Sequence, residues 1–365
     1  MKHAVSIALI LCLLLSGCDN WMDGSYVSIT PHKEQQTPSE QGVVAISNML
    51  ELRSALEDMV ERGETSRILS VEAYPKESLD SGIATAIHYI TRISPVGAYA
   101  VDQIQCEQGT SGAMSAVAVT ITYHYSRGQI QRIKHTRGIE EAKRVIETAL
   151  DQCEAGVVLK IEDYTDTDFL QMIEDYADTS PEKVMEVPQV TANIYPDSGS
   201  ERVVELIFTY QTSREALRNM QSYVQPVFSA ASLYVSGDVA DSVKFSQMYA
   251  FLMERYDYKV ETSITPAYSL LRHGVGDCKA FAVVYAAMCR GAGLDCQVVS
   301  GTRMGQPWFW NIICDDGAYY HVDLLQSSPV GKLQRRTDAQ MQGYVWDYSA
   351  YPGCGTEADD TEPIG

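Results

Sequence analysis

The middle of the chain repeats a pattern of residues at a distance of 90, which limits the possible folds to those that use one unit twice. The segment RILSVEAY at residues 67–74 aligns with VVLKIEDY at residues 157–164. Apolar residues at helical spacing precede both segments, and a strand-like alternation follows both. Each copy therefore predicts helix, strand, helix, strand and strand, an α+β module with helices on one face of a sheet. We place the modules at residues 45–135 and 136–224.

The composition excludes several classes of protein. An apolar content of 45% is typical of a globular chain, and 28 Lys and Arg against 48 Asp and Glu give a formal charge of −20. This charge disfavours nucleic acid and anionic membrane surfaces as partners. Since His88 and His124 stand alone and no Cys/His cluster has zinc spacing, we predict no metal site and no cofactor. The sequence sets no oligomeric state.

The first residues predict export. Lys2 precedes an apolar run that ends at Leu15, too short for a membrane-spanning helix and typical of a signal peptide. The following Ser16, Gly17 and Cys18 resemble the bacterial lipobox, which implies a lipid on Cys18. We therefore expect a signal peptide at 1–17, a tether at 18–44 and an acidic, disordered tail at 355–365. The protein would be extracytoplasmic and would reach the membrane through the lipid alone.

A candidate nucleophile lies in the last third of the chain. Gly276 and Asp277 precede Cys278, and an apolar, Ala-rich run follows. This order predicts a helix with Asp277 as N-cap and Cys278 at its first position. Unpaired backbone N–H groups and the helix dipole favour a thiolate there, so the pattern predicts a reactive cysteine.

Cys278 belongs to an ordered set of motifs. It is followed by AGLDCQVVSG at 292–301, by WNII at 310–313 and by GAYYHVD at 317–323. The combination resembles the transglutaminase-like superfamily, over about residues 225–354. This resemblance implies an α+β domain with a papain-like core after the two modules.

The resemblance also implies a catalytic triad of Cys, His and Asp. Cys278 matches the nucleophile and Asp323 matches the acid that orients the histidine. The histidine should open a His-x-Trp-Asn motif, and there Trp310 and Asn311 match but the first position is Trp308. An indole cannot accept a proton at neutral pH, so the general base is missing.

Two other histidines are possible substitutes for the base. His321 lies two residues before Asp323, and His273 lies in the stretch just before Cys278. Without either substitute, Cys278 becomes a small helix-start residue with no reactivity.

The cysteines leave several pairings open. Of nine in the chain, seven follow Cys18, so at least one stays free or pairs between molecules, and Cys278 is the candidate. A pair of Cys278 and Cys289 is excluded, because 11 residues of helix separate them. Cys106 and Cys153 are either two buried thiols or a disulfide between the modules. Outside the cytoplasm, Cys289, Cys296, Cys314 and Cys354 could form one or two disulfides, whose connectivity the sequence does not give.

Three functions remain. The first is a binding protein whose catalysis is lost and whose groove carries Trp308, Phe309, Trp310 and Asn311 for an extracytoplasmic polypeptide or a cell-wall ligand. The second is a thiol enzyme, a cysteine peptidase or an amide or acyl transferase, with His321 or His273 as base. The third is a structural spacer.

Overall fold

A computed structural model describes residues 43–112, 114–327 and 332–355, and the compact unit that contains them begins at Val44. The predicted signal peptide, the lipidation site Cys18, nearly all of the tether and all but the first residue of the predicted tail lie outside the described residues. Among the residues described, no helix is both long and apolar enough to cross a membrane. The predicted α+β fold class is confirmed.

The first part of the unit is a four-stranded sheet in the order β1-β2-β4-β3, with β1 parallel to β2 and the other pairs antiparallel. Its first helix begins after Asn48, whose side chain accepts a hydrogen bond from the Glu51 N–H at 3.0 Å. Apolar residues at helical spacing on this helix are buried against the sheet. The elements are β1 (Val44–Ala45), α1 (Met49–Glu61), β2 (Ser66–Ser70), α2 (Lys76–Arg92), α3 (Pro95–Ala100), β3 (Val101–Ser111) and β4 (Met114–Tyr123).

The second part has the same strand order and pairing directions, β5-β6-β8-β7. The register agrees too, since Leu69 pairs with Val117 in one sheet and Leu159 with Val204 in the other. Each part also has a short strand that the sequence did not predict. It is β1 in the first part and β5 in the second, and it pairs in parallel with the strand that follows it. Duplication of one ancestral unit stays a prediction. The elements are α4 (Arg127–Ile130), β5 (Lys134–Thr136), α5 (Gly138–Asp151), β6 (Gly156–Ile161), α6 (Phe169–Thr179), β7 (Gln189–Tyr195) and β8 (Arg202–Thr209).

The last part combines helices with an antiparallel sheet in the order β13-β12-β11-β14. Its first helix is α7 (Arg214–Ser229), so the predicted boundary at residue 224 falls inside a helix. The other elements are α8 (Asp241–Met253), β9 (Asp257–Tyr258), α9 (Pro266–His273), β10 (Val275–Gly276), α10 (Cys278–Gly291), β11 (Cys296–Arg303), β12 (Gln306–Asp315), β13 (Ala318–Val322) and β14 (Tyr344–Trp346), with 3₁₀ turns at Ala231–Tyr234, Leu324–Gln326 and Asp338–Gln340.

Helix α10 is the centre of this part. Every residue from Ala280 to Cys289 is buried, as expected for a helix that is apolar on all sides and covered on all sides. The Tyr285 hydroxyl donates to the Phe245 carbonyl of α8 at 3.1 Å. On the sheet side, the Asn311 amide donates to the Ala282 carbonyl at 2.9 Å and so attaches β12 to the helix. The start of α10 is therefore held rigidly against the sheet.

The opposite face of the sheet has its own apolar cluster, closed by the segment after β13. Gly301 of β11 lies beneath the Trp310 ring in this cluster. A Cβ added at Gly301 would lie 2.3 Å from the Val345 carbonyl oxygen and 2.8 Å from Trp310 Cη2. Only glycine fits where β11 and β14 approach each other so closely.

We expect Gly301→Ala to lower the free energy of unfolding by about 1–3 kcal/mol, because a backbone carbonyl cannot move aside without breaking the β11–β14 pairing. Gly128→Ala is the matched control, since outside its own helical turn no atom lies within 4 Å of its added Cβ. It should not lower stability, because alanine favours a helix over glycine. Urea unfolding of both variants measures the difference. Equal stabilities of the two variants would show that β11 and β14 move apart at little cost to accommodate the added methyl group.

Candidate functional site

Cys278 lies where the sequence predicts, at the first position of α10. The Asp277 carboxylate caps the helix and accepts a hydrogen bond from the Ala280 N–H at 2.9 Å. Burial nevertheless raises the pKa of the Cys278 thiol; a hydrogen bond from the Phe309 backbone lowers it, and the neighbouring Asp277 charge raises it further. Desolvation of the anion thus opposes the thiolate that the helix start favours, and the pKa of Cys278 lies above its ordinary value.

Trp308 and Asp323 form a direct pair beside this thiol. Trp308 is half-buried near the start of β12, and its indole Nε1–H donates to Asp323 Oδ2 at 2.7 Å. A histidine at this position would use a ring N–H in the same way, and its other ring nitrogen would be the proton acceptor. An indole has no second nitrogen. The pair therefore places an N–H donor on the Asp323 carboxylate and offers no nitrogen that could accept a proton.

Asp323 is held by two further donors. It follows β13 directly and is only 2% exposed. The Tyr344 hydroxyl donates to Oδ2 at 2.7 Å, and the Leu325 backbone N–H donates to Oδ1 at 3.0 Å. Burial raises the pKa of Asp323, and the hydrogen bonds from Tyr344, Trp308 and Leu325 lower it. The carboxylate is thus a satisfied, buried hydrogen-bond acceptor.

His321 does not serve as the substitute base. It is fully buried, and its Nδ1 accepts the Trp310 indole N–H at 2.9 Å. Its Nε2 lies 2.8 Å from Asp338 Oδ1. Since Nδ1 accepts, the proton of the neutral ring is on Nε2 and is donated to Asp338. Both nitrogens are occupied, and the alternation of β13 carries the ring to the cluster opposite α10.

His273 is not placed as a base either. It is the last residue of α9, is exposed, and its ring contacts Tyr268 with centroids 5.5 Å apart. No histidine is hydrogen-bonded to the Cys278 thiol within the described ranges 43–112, 114–327 and 332–355.

The predicted aromatic surface is only partly correct. Trp310 is 1% exposed and Asn311 is fully buried, so both are core residues, because the motif alternates between the two faces of β12. The Phe309 ring lies 4.9 Å from the Lys279 ammonium, which pairs with Asp178 of α6 at 2.7 Å. Of the four predicted binding residues, half-buried Trp308 and Phe309 remain available to a ligand.

Three neighbours of Trp308 were not predicted as site residues. The ring centroid of Tyr258 is 6.2 Å from that of Trp308, and the Arg303 guanidinium lies 5.4 Å from the indole centroid. Tyr344 reaches Asp323 from β14, 21 residues away. The sequence offers a signal for Tyr258 alone, in the stretch Tyr256-Asp257-Tyr258. The positions of Arg303 and Tyr344 follow from tertiary folding.

One group of potential metal ligands occurs in the structure, although the sequence shows no zinc spacing. Ligand atoms of His321, Asp338 and Cys354 lie within 4.8 Å of one another. The Trp310 N–H on His321 Nδ1 keeps the proton on Nε2, the nitrogen that faces the group. A protonated nitrogen cannot bind a metal, so this group fits a hydrogen-bond network better.

The cysteines after Cys18 are all free thiols, so none of the disulfides that the sequence leaves open is formed. Cys106 and Cys153 belong to different apolar clusters, so no bridge joins the two modules. Cys289 and Cys296 contact each other inside the core, where burial raises the pKa of Cys289 well above its ordinary value. Cys314 and Cys354 are free as well.

Comparison with known proteins supports the domain assignment. Residues 230–346 match the model of the Transglutaminase-like superfamily, within the predicted range 225–354. That segment is a transglutaminase-like domain. No curated protein sequence matches the chain.

Three solved structures are similar to the chain at a low level. A TGase has 10% identity and a TM-score of 0.26, covering 47% of this chain and 52% of its own. A protein from Parabacteroides distasonis provisionally named a protease has 10% identity and a TM-score of 0.24, covering 60% and 35%. One from Cytophaga hutchinsonii provisionally named a cysteine protease has 13% identity and a TM-score of 0.25, covering 43% and 70%. The chain thus spans about half of the first structure, and these scores carry no argument about function.

We expect His321→Ala to lower the free energy of unfolding by about 2–4 kcal/mol, because it leaves a cavity and a buried Trp310 N–H without an acceptor. His273→Ala should change it by less than about 0.5 kcal/mol, since that ring is exposed. Urea denaturation followed by fluorescence measures both. A neutral His321→Ala would mean that water replaces the imidazole in the network.

Proposed function

We propose that the transglutaminase-like domain is catalytically impaired and binds an extracytoplasmic polypeptide or cell-wall ligand. The observation that carries this proposal is the hydrogen bond from Trp308 Nε1 to Asp323 Oδ2. It occupies the acid with a donor that can neither take a proton from Cys278 nor return one to a leaving group.

The loss of the base has a predictable size. General acid–base catalysis contributes about 10² to 10⁴ in rate, and a thiol whose pKa is raised by burial is a poor nucleophile at neutral pH. His321 is committed to Trp310 and Asp338, and His273 is exposed on another element. These features favour binding over turnover.

The proposed location follows from the sequence. A lipid on Cys18 would hold the chain at the outer surface of the membrane, and the two modules would lie between that anchor and the domain. The net charge of −20 disfavours nucleic acid as ligand. The rings of Tyr258 and Trp308 near Cys278 offer an aromatic edge to a peptide or a sugar.

A thiol enzyme is the second candidate, because Cys278 retains both its helix-start position and the hydrogen bond from the Phe309 backbone. It requires a base that reaches the thiol, supplied by a movement of the chain or by the substrate. The two functions differ in the titration of Cys278.

We expect the alkylation rate of Cys278 by iodoacetamide to reach half its maximum above the ordinary thiol pKa of about 8.5, because burial disfavours the thiolate. The measurement uses peptide mapping by mass spectrometry, which separates Cys278 from the other thiols. His321→Ala should leave the pH profile unchanged. A midpoint well below 8.5 that depends on a histidine would favour the enzyme.

Trp308→His should restore a Cys-His-Asp arrangement, with one imidazole nitrogen on Asp323 and the other toward Cys278. We expect the alkylation midpoint to move to lower pH, since an imidazolium stabilises the thiolate. Trp308→Phe is the matched control, because it keeps a ring and removes the donor. If both variants fold and Cys278 has the same alkylation midpoint in each, a histidine at position 308 does not act as the base for Cys278.

A further inference from the structure

A polar cavity of about 390 Å³ adjoins the Trp308–Asp323 pair. Arg303, Arg336 and Tyr344 line it together with four glutamine side chains. Arg303 and Arg336 come from β11 and from the segment before the last 3₁₀ turn, 33 residues apart. Folding therefore brings two guanidinium groups and several amides to one opening beside the site.

Neither arginine forms a salt bridge within the described residues, although the charge of Arg336 acts on the buried Asp323. Arg303 Nη2 donates to Gln326 Oε1 at 2.9 Å, and Arg336 Nη2 donates to the Gln326 carbonyl at 2.6 Å and to Gln334 Oε1 at 3.1 Å. Neither guanidinium lies within 4.0 Å of a carboxylate of the described residues. In a chain with 48 acids and 28 cations, two arginines that face one cavity without a salt bridge among the described residues are unexpected.

The donors suit a carboxylate. Each guanidinium carries five N–H groups, of which the bonds above use only a few, and its planar fork matches a carboxylate in a bidentate manner. Glutamine amides can donate to and accept from the peptide groups that flank such a carboxylate. A highly charged polyanion fits poorly, because the net charge of −20 would repel it at long range.

The cavity borders the site through Arg303 and Tyr344. The Arg303 guanidinium lies 5.4 Å from the Trp308 ring centroid and 5.8 Å from that of Tyr344. Tyr344 lines the cavity, and its hydroxyl holds Asp323. A peptide with its carboxylate in the cavity would thus continue past Trp308 toward Cys278.

We propose that Arg303, Arg336 and the surrounding glutamines bind a carboxylate of a peptide ligand beside the Trp308–Asp323 pair. This assignment rests on the binding function proposed above and names the chemistry of its ligand.

The test measures the affinity of the purified chain for two short probes by calorimetry. One is acetyl-Ala-Glu-Ala with a free carboxyl end, and the other is acetyl-Ala-Gln-Ala-amide, which has nearly the same shape and no carboxylate. We expect the acid to bind at least about tenfold more tightly, since charge-assisted hydrogen bonds are lost with the amide. Inorganic phosphate is a third probe and should bind more weakly than the acid.

Variants connect the affinity to the cavity. Arg303→Gln and Arg336→Gln should each weaken binding of the acid about ten- to hundredfold and leave the amide unaffected. Arg336→Lys should fall between, because it keeps the charge and loses the fork. Arg144→Gln, on the exposed face of α5, removes the same charge elsewhere and should have no effect. Thermal unfolding checks that each variant is folded. If one arginine variant fails to fold, the other still tests the assignment.

Equal affinities for acid and amide, no saturable binding of the acid up to about 10 mM, or full binding by both glutamine variants would overturn the assignment. Tighter binding of inorganic phosphate would overturn it too, in favour of a phosphate site. Turnover of a probe by the wild type contradicts the impaired domain and leaves the carboxylate site standing, so the two failures are distinguishable.

Discussion

A buried carboxylate must be fully hydrogen-bonded, and Asp323 meets this requirement with donors from three separate elements. Trp308 comes from β12, Tyr344 from β14, and the Leu325 N–H from the 3₁₀ turn that Asp323 itself opens. Hydrogen bonds to a charged group contribute about 1.5–3 kcal/mol each, and removing one partner of a buried charge costs more than the bond is worth. The end of the sheet is therefore organised around this one side chain. The Trp308 indole supplies one of these donors, so the carboxylate stays satisfied in the folded chain.

Position along β12, rather than side of the sheet, distinguishes its two tryptophans. Trp308, Trp310 and Ile312 share one face with the cluster around Trp346, and Asn311 and Ile313 face α10. Trp310 contacts His321 and donates its indole N–H to His321 Nδ1. Trp308, near the start of the strand, donates to Asp323 instead. Tryptophans two residues apart thus hold different partners, and only Trp308 is half-buried.

The sequence predicts what depends on neighbouring residues. The order Gly276, Asp277, Cys278 identifies the start of α10, and the similar segments at 67–74 and 157–164 identify strands with the same register. The sequence does not predict features that depend on contacts between residues far apart in the chain. The burial that raises the pKa of Cys278 comes from packing, and the partners that remove His321 from the site lie 11 and 17 residues away. The arginine cavity could not be predicted for the same reason, since no local pattern relates Arg303 to Arg336.

The contacts of α6 help to fix the position of α10, the helix that begins with Cys278. Lys279, beside Cys278, pairs with Asp178 at 2.7 Å, and Arg290, near the other end of α10, donates to the Thr179 carbonyl at 2.7 Å. These two cations stand 11 residues apart on α10, about 16.5 Å of rise, yet converge on adjacent residues at the end of α6. The second module thereby contacts α10 near both of its ends. The position of α6 is thereby coupled to that of Lys279, the residue next to Cys278, so a displacement of α6 would be felt at the start of α10.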